Sequence, residues 1–136
     1  GLGKRMYTVS VKAHYDAAHF IRTYKGKCQR LQVHRYVVEV AVQSSGLNEA
    51  GIALDFVDLK KHVRGLAERL DHQNLNELPE FEGLETSAEV QARYFYDQLS
   101  SLLPREFAEG LLYARVWETP TQWAQYGAGP SMPPLG

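Results

Sequence analysis

Apolar and polar side chains alternate without interruption from Tyr7 to Ala17. Tyr7, Val9, Val11, Ala13, Tyr15 and Ala17 take one side, and Thr8, Ser10, Lys12, His14 and Asp16 the other. Period two predicts a strand with one buried and one wet face. A second strand starts near Gln32, with Tyr36, Val38, Val40 and Val42 facing one way and Arg35, Glu39 and Gln43 the other. The intervening 24–27 stretch is loop-like, and the Ser-Ser-Gly-Leu-Asn run at 44–48 reads as the turn that ends the strand. The spacing then changes to threes and fours. After Asp55, the residues Phe56, Leu59, Val63, Leu66 and Leu70 predict an amphipathic helix. Pro79 and Gly83 break the chain. Thr86 and Glu89 read as a capping box for a second helix whose stripe is Ala88, Ala92, Phe95, Leu99 and Leu102, and Pro104 stops it. Leu112, Ala114 and Val116 alternate with Tyr113, Arg115 and Trp117 in a third strand, and 123–126 suits a short fourth. The order ββααββ, with a hairpin-like connection at each end, predicts an α+β domain: an antiparallel sheet with two helices over one face.

The chain's 136 residues suit one domain, expected over 7–126. Residues 1–6 are expected to lie outside it, as a disordered N-terminus or a cloning remnant, and 127–136, rich in proline, as a flexible tail. A hydrophobic content of 44% and a mean hydropathy of -0.37 fit a soluble globular protein. Fifteen basic against sixteen acidic residues give no electrostatic reason to expect a nucleic acid or an anionic membrane as partner. No apolar run approaches the roughly 20 residues of a membrane span, and no signal-peptide pattern stands at the start. A single cysteine excludes an internal disulfide framework and fits a reducing cytoplasm.

Strand phase decides which polar groups can meet. His19 lies two residues past Ala17, on the apolar side of the first strand. Gln32 and His34 are in phase with Tyr36 on the second. Imidazole suits zinc, and three protein ligands with an open position form a catalytic arrangement. Spacing alone leaves packing or hydrogen bonding open for the histidines, and the neutral amide of Gln32 is a weaker zinc donor. His14 belongs to the polar side.

Cys28 lies between Lys27 and Arg30, cationic neighbours that favour a reactive thiolate. Burial as an inert thiol is the alternative, and the polar surroundings weigh against it. Asp71 and His72 close the first helix. A carboxylate beside an imidazole suits proton shuttling, whereas C-terminal capping explains His72 but not the Asn74-Leu75-Asn76 that follows. Glu118 is in phase with Leu112, Ala114 and Val116, so it should point inward. There it needs a partner, either a ligand with adjacent N–H donors or an internal arginine. Lys60, Lys61 and His62 read as a solvated helix face.

Together these segments resemble the 6-pyruvoyl-tetrahydropterin synthase family, most closely its branch of 6-carboxytetrahydropterin synthases of queuosine biosynthesis. The resemblance spans about Tyr7 to Tyr126 and rests on Tyr15-Asp16-Ala17-Ala18-His19, Gly26-Lys27-Cys28, the 54–60 segment Leu-Asp-Phe-Val-Asp-Leu-Lys, the 70–76 segment Leu-Asp-His-Gln-Asn-Leu-Asn, Ser87-Ala88-Glu89 and Glu118-Thr119. It implies a tunnelling fold whose protomers join into a barrel, usually as two stacked trimers, with active sites between subunits. It implies a zinc held at the positions of His19, Gln32 and His34, a pterin-anchoring carboxylate at Glu118, a pterin-contacting hydroxyl at Ser87, and acid/base groups at Cys28, Asp71 and His72. Lys25, Lys27 and Arg30 are candidate triphosphate contacts.

The family's His-Gly-His is Gln32-Val33-His34 here. Three outcomes follow: weaker zinc, a site completed by another residue or water, or a diverged homologue without the usual reaction. The catalytic expectation is a zinc-dependent lyase acting on 7,8-dihydroneopterin triphosphate, with 6-carboxy-5,6,7,8-tetrahydropterin or 6-pyruvoyl-tetrahydropterin as product. The competing expectation is a pterin-binding homologue with little turnover.

Overall fold

The computed structural model describes residues 5–21 and 30–128. Cys28, Lys25, Lys27 and the 129–136 part of the expected tail lie outside them. Strands β1 (Tyr7–His19) and β2 (Gln32–Ser44) form the long hairpin, followed by helix α1 (Phe56–Leu70). A two-residue strand β3 (Gln73–Asn74) and two single 3-10 turns, Leu75–Glu77 and Pro79–Phe81, lead to helix α2 (Ala88–Leu102). Then come a short helix α3 (Arg105–Glu109) and strands β4 (Leu111–Thr119) and β5 (Gln122–Gly127), the last running one residue beyond the expected strand end.

Among the described residues the sheet has five strands in the order β3-β1-β2-β4-β5. The expected antiparallel pairs are present, β1 with β2, β2 with β4 and β4 with β5. The expectation of an all-antiparallel sheet needs one correction. β3 adds to the outer edge of β1 in parallel, pairing Ala17 with Gln73 and Ala18 with Asn74. Two residues carry no readable period, so pattern alone could not reveal it.

The two long helices lie on one face. Asp55 caps α1 by accepting the Val57 N–H at 2.8 Å, and the helix buries Leu59, Val63, Ala67 and Leu70. Phe56, expected in the stripe, is exposed. α2 buries Gln91, Ala92, Phe95 and Leu99, and the next turn is completed by Leu103 rather than by Leu102. The expected capping box is also corrected. Ser87 caps α2 by accepting the Val90 N–H at 3.2 Å, while Thr86 turns into the interior. The core joins both helices to Tyr15, Ala17, Tyr36, Val38, Val40, Ala114 and Val116 of the sheet. Tyr15 stacks on Tyr36 at a centroid distance of 5.3 Å. No helix among the described residues is long and apolar enough to cross a membrane.

The polar face of the sheet is more closely packed than alternation implies. Glu39 is buried there, accepting the Tyr113 hydroxyl at 2.8 Å and the Arg115 guanidinium at 3.2 Å, with Lys12 3.6 Å away. Arg115 in turn lies over the rings of Tyr113 and Trp123.

Candidate metal centre

His19 closes β1 on its buried side, only 5% exposed. Its Nδ1 lies 3.0 Å from the Thr86 carbonyl. A carbonyl can only accept, so Nδ1 carries the proton and Nε2 presents a lone pair. Burial pushes the pKa of His19 below its ordinary value despite the opposing pull of Glu118, which keeps the ring neutral. That buried Nε2 has no hydrogen-bond partner among the described residues.

His34 enters from β2 and Glu118 from β4, and both meet this lone pair. Glu118 Oε1 lies 3.3 Å from His34 Nε2 and 3.7 Å from His19 Nε2. The ligand atoms of the three residues all lie within 4.8 Å of one another. A lone pair aimed at a carboxylate oxygen is unfavourable without positive charge between them. Two imidazole nitrogens and a carboxylate oxygen converging in this way fit a divalent cation. Gln32 stands opposite His19 in the β1–β2 register and places Oε1 3.1 Å from His34 Nε2, from an exposed position. Tyr36 packs edge-on against both imidazole rings and fixes their tilt.

The carbonyl that orients His19 is itself held. Thr86 donates its hydroxyl to Asn76 Oδ1 at 3.0 Å, and Asn76 clasps the backbone of Phe20, the residue after His19, through bonds of 2.9 and 3.1 Å. Asn74 caps the first 3-10 turn by accepting the Asn76 N–H. The Asn-Leu-Asn segment that capping of α1 left unexplained thus ties the end of β1 to the start of α2.

Asp71 and His72 form a second centre, on the other side of β1. Asp71 Oδ1 accepts the Asp16 backbone N–H at 2.8 Å, and Oδ2 lies 2.9 Å from His72 Nδ1. His72 is in the left-handed region with φ 59°, held by its N–H donating to the Asp16 carbonyl at 2.6 Å. Its imidazole is largely exposed. Asp16 points away from the His19 side and pairs with Arg35 through both carboxylate oxygens, at 3.0 and 3.2 Å. The guanidinium holds the Asp16 carboxyl below its usual range. Although Asp16, Asp71 and His72 also cluster closely enough to ligate an ion, Arg35 already takes both carboxylate oxygens of Asp16. The centre of His19, His34 and Glu118 is the better cation site.

The fold agrees with what known proteins show. A family model described as 6-pyruvoyl tetrahydropterin synthase matches residues 8–129. The chain belongs to this family. Among its relatives is a 6-carboxy-5,6,7,8-tetrahydropterin synthase of Bacillus subtilis (strain 168), 35% identical over 120 residues that cover 83% of this chain and 80% of that one. A 6-pyruvoyl tetrahydrobiopterin synthase of Dictyostelium discoideum is 30% identical over 103 residues, 74% of this chain and 73% of that one. The solved structure of Caenorhabditis elegans 6-pyruvoyl tetrahydropterin synthase shares the fold with a TM-score of 0.80 at 22% identity, covering 95% of this chain and 100% of that one. The α+β architecture is therefore the tunnelling fold of the pterin synthases.

Within this family fold, strand phase brings His19, Gln32, His34 and Glu118 to one place. Asp71 and His72 pair with each other but face away from that place within one chain. Ser87 serves first as the cap of α2, next in sequence to the Thr86 carbonyl at the site. Cys28 and Lys27 fall outside the described residues. Sequence reasoning missed Thr86, Asn76 and Gln91 as supports of the site. Thr86 reads in sequence as a cap, and Gln91 gives no more signal than a polar residue one position before Ala92 of the α2 stripe.

Proposed function

We propose that this chain is a zinc-dependent lyase that converts 7,8-dihydroneopterin triphosphate into 6-carboxy-5,6,7,8-tetrahydropterin, with release of triphosphate and acetaldehyde. The observation that carries this reading is the buried, unpartnered His19 Nε2 facing His34 and Glu118, in a chain 35% identical to a relative named for that product. Electrons balance within the substrate. The three side-chain carbons together undergo a net two-electron oxidation that matches the two-electron reduction of the dihydro ring, and one water supplies the second carboxylate oxygen.

His19 and His34 would hold the metal, which when bound supplies Lewis acidity toward substrate oxygen. Glu118 accepts N–H donors from the pterin edge. Ser87 contributes a hydroxyl beside the ring. His72, oriented by Asp71, takes up and returns the side-chain proton, and Cys28 as thiolate shares that work. Lys27 binds the triphosphate. Because Asp71 and His72 face away from the histidine cluster within one chain, the complete site takes its acid/base pair from a second copy, as in a homohexamer. A cytoplasmic setting supplies such a substrate and keeps Cys28 reduced.

The Gln32 substitution favours one second reading, a homologue that retains pterin but turns it over slowly. Incubating the zinc-loaded chain with dihydroneopterin triphosphate and weighing the products by mass spectrometry separates the two. The expected result is 6-carboxytetrahydropterin with equimolar acetaldehyde. The 6-pyruvoyl compound would move the chain to the biopterin branch, and intact substrate would leave the binder.

A further inference from the structure

We infer that Glu118, through Oε1, is the third protein ligand of the metal in this chain, taking the part that the resemblance gives to a histidine at position 32. The inference rests on the proposed metal centre and changes what completes it. Ligand atoms at zinc bonds of about 2.1 Å stand roughly 3.4 Å apart on a tetrahedron. Glu118 Oε1 meets that spacing toward both imidazoles, 3.3 Å from His34 Nε2 and 3.7 Å from His19 Nε2, and does so with a single oxygen.

The backbone explains why Glu118 reaches so far in. The β4–β5 pairing shifts register between Trp117 and Thr119, an irregularity centred on Glu118. Such bulges re-aim the side chain they carry. β2 pairs with β4 as far as Val37 opposite Trp117, so Glu118 comes immediately after the last paired residue and near the strand end that bears His34. Gln32 competes poorly. It is exposed, its donor is a neutral amide, and its contact is with His34 alone among the imidazoles.

A carboxylate ligand also alters the chemistry of the site. Two neutral imidazoles and one carboxylate leave a net charge of +1 with a divalent ion, where three imidazoles leave +2. Since Oε1 is turned to the imidazoles, Oε2 is the oxygen left to accept a ring N–H. One residue then couples metal to pterin edge.

The test is a zinc titration of the full chain, stripped with chelator and competed against a chromogenic indicator, for wild type, Glu118→Gln, Gln32→Ala and Glu118→Gln combined with Gln32→His. Glu118→Gln should weaken zinc at least about tenfold through loss of a charged ligand, and Gln32→Ala less than about threefold, since a neutral amide that does not ligate adds little. Adding Gln32→His to Glu118→Gln should recover most of the loss. As a check independent of affinity, the visible spectrum of bound Co2+ should change in Glu118→Gln and not in Gln32→Ala. If Gln32→Ala weakens binding while Glu118→Gln does not, Gln32 is the ligand and the inference falls, with the metal centre intact. If wild type binds no divalent ion, the proposed metal centre itself falls.

Discussion

Gln91 and His19 donate to the same acceptor: the amide Nε2 and the imidazole Nδ1 lie 2.9 and 3.0 Å from the Thr86 carbonyl. The other end of the Gln91 amide accepts the Tyr15 hydroxyl at 2.6 Å, and Tyr15 and Gln91 are both fully buried. Gln91 therefore joins the aromatic core of the sheet to the group that sets the tautomer of a candidate metal ligand. Gln91→Leu, close in volume, strands the Tyr15 hydroxyl. The expected loss is about 1–3 kcal/mol of folding stability, the usual consequence of an unsatisfied buried polar group. Zinc affinity should fall as well, by up to about tenfold, since an outer-shell support is loosened. Chemical denaturation and zinc titration on the same samples read both effects. A stability loss with unchanged affinity would make Gln91 a core residue only.

His72 separates backbone strain from chemistry. Its φ of 59° places a β-carbon where L-residues are disfavoured, by roughly 1–2 kcal/mol. A group kept in such a conformation at a surface turn, with its imidazole exposed beside Asp71, invites a functional explanation. His72→Gly relieves the backbone and removes the imidazole. Folding should be as stable as in wild type or up to about 1 kcal/mol more so, while turnover of dihydroneopterin triphosphate collapses. Retained turnover would remove His72 from the acid/base set.

Much of this arrangement was legible because the sheet has one dry and one wet face. Phase alone put His19, Gln32, His34 and Glu118 on the same side, since a side chain two residues from a buried one points the same way. What stayed hidden depends on partners far along the chain. Glu39 read as a polar-face residue, yet Lys12, Tyr113 and Arg115 close over it from neighbouring strands, and only the register reveals that. Thr86 and Ser87 are adjacent hydroxyls, either able to cap α2. Ser87 caps because Asn76 draws Thr86 inward. The turn at His72 and the parallel strand after it are too short to leave any period.

Ser87 carries two proposed duties that can be pulled apart. It caps α2, and it is proposed to touch the pterin. Ser87→Ala should cost about 1 kcal/mol through the lost cap and raise KM. Asp caps helices about as well as Ser, so Ser87→Asp should leave stability near wild type. Its added charge at the proposed pterin contact should still raise KM. An unchanged KM in Ser87→Asp would confine Ser87 to capping.

The Arg69–Glu80 pair predicts a pH dependence distant from the site. Arg69 Nε and Nη2 hold both oxygens of Glu80 at 2.6 and 2.9 Å, fastening the second 3-10 turn to α1. Those hydrogen bonds hold the Glu80 carboxyl below its ordinary value of 4.5. The unfolded chain therefore takes up this proton at a higher pH than the folded chain. The pair's stabilisation is fully present above the unfolded value and is lost as pH falls through the depressed folded value. Wild type and Glu80→Gln, compared by denaturant melts from neutral pH downward, should differ by a constant amount until about pH 5. Their curves should then converge on further acidification. A difference that persists unchanged at the acid end would mean that Glu80 contributes by packing and not by its charge.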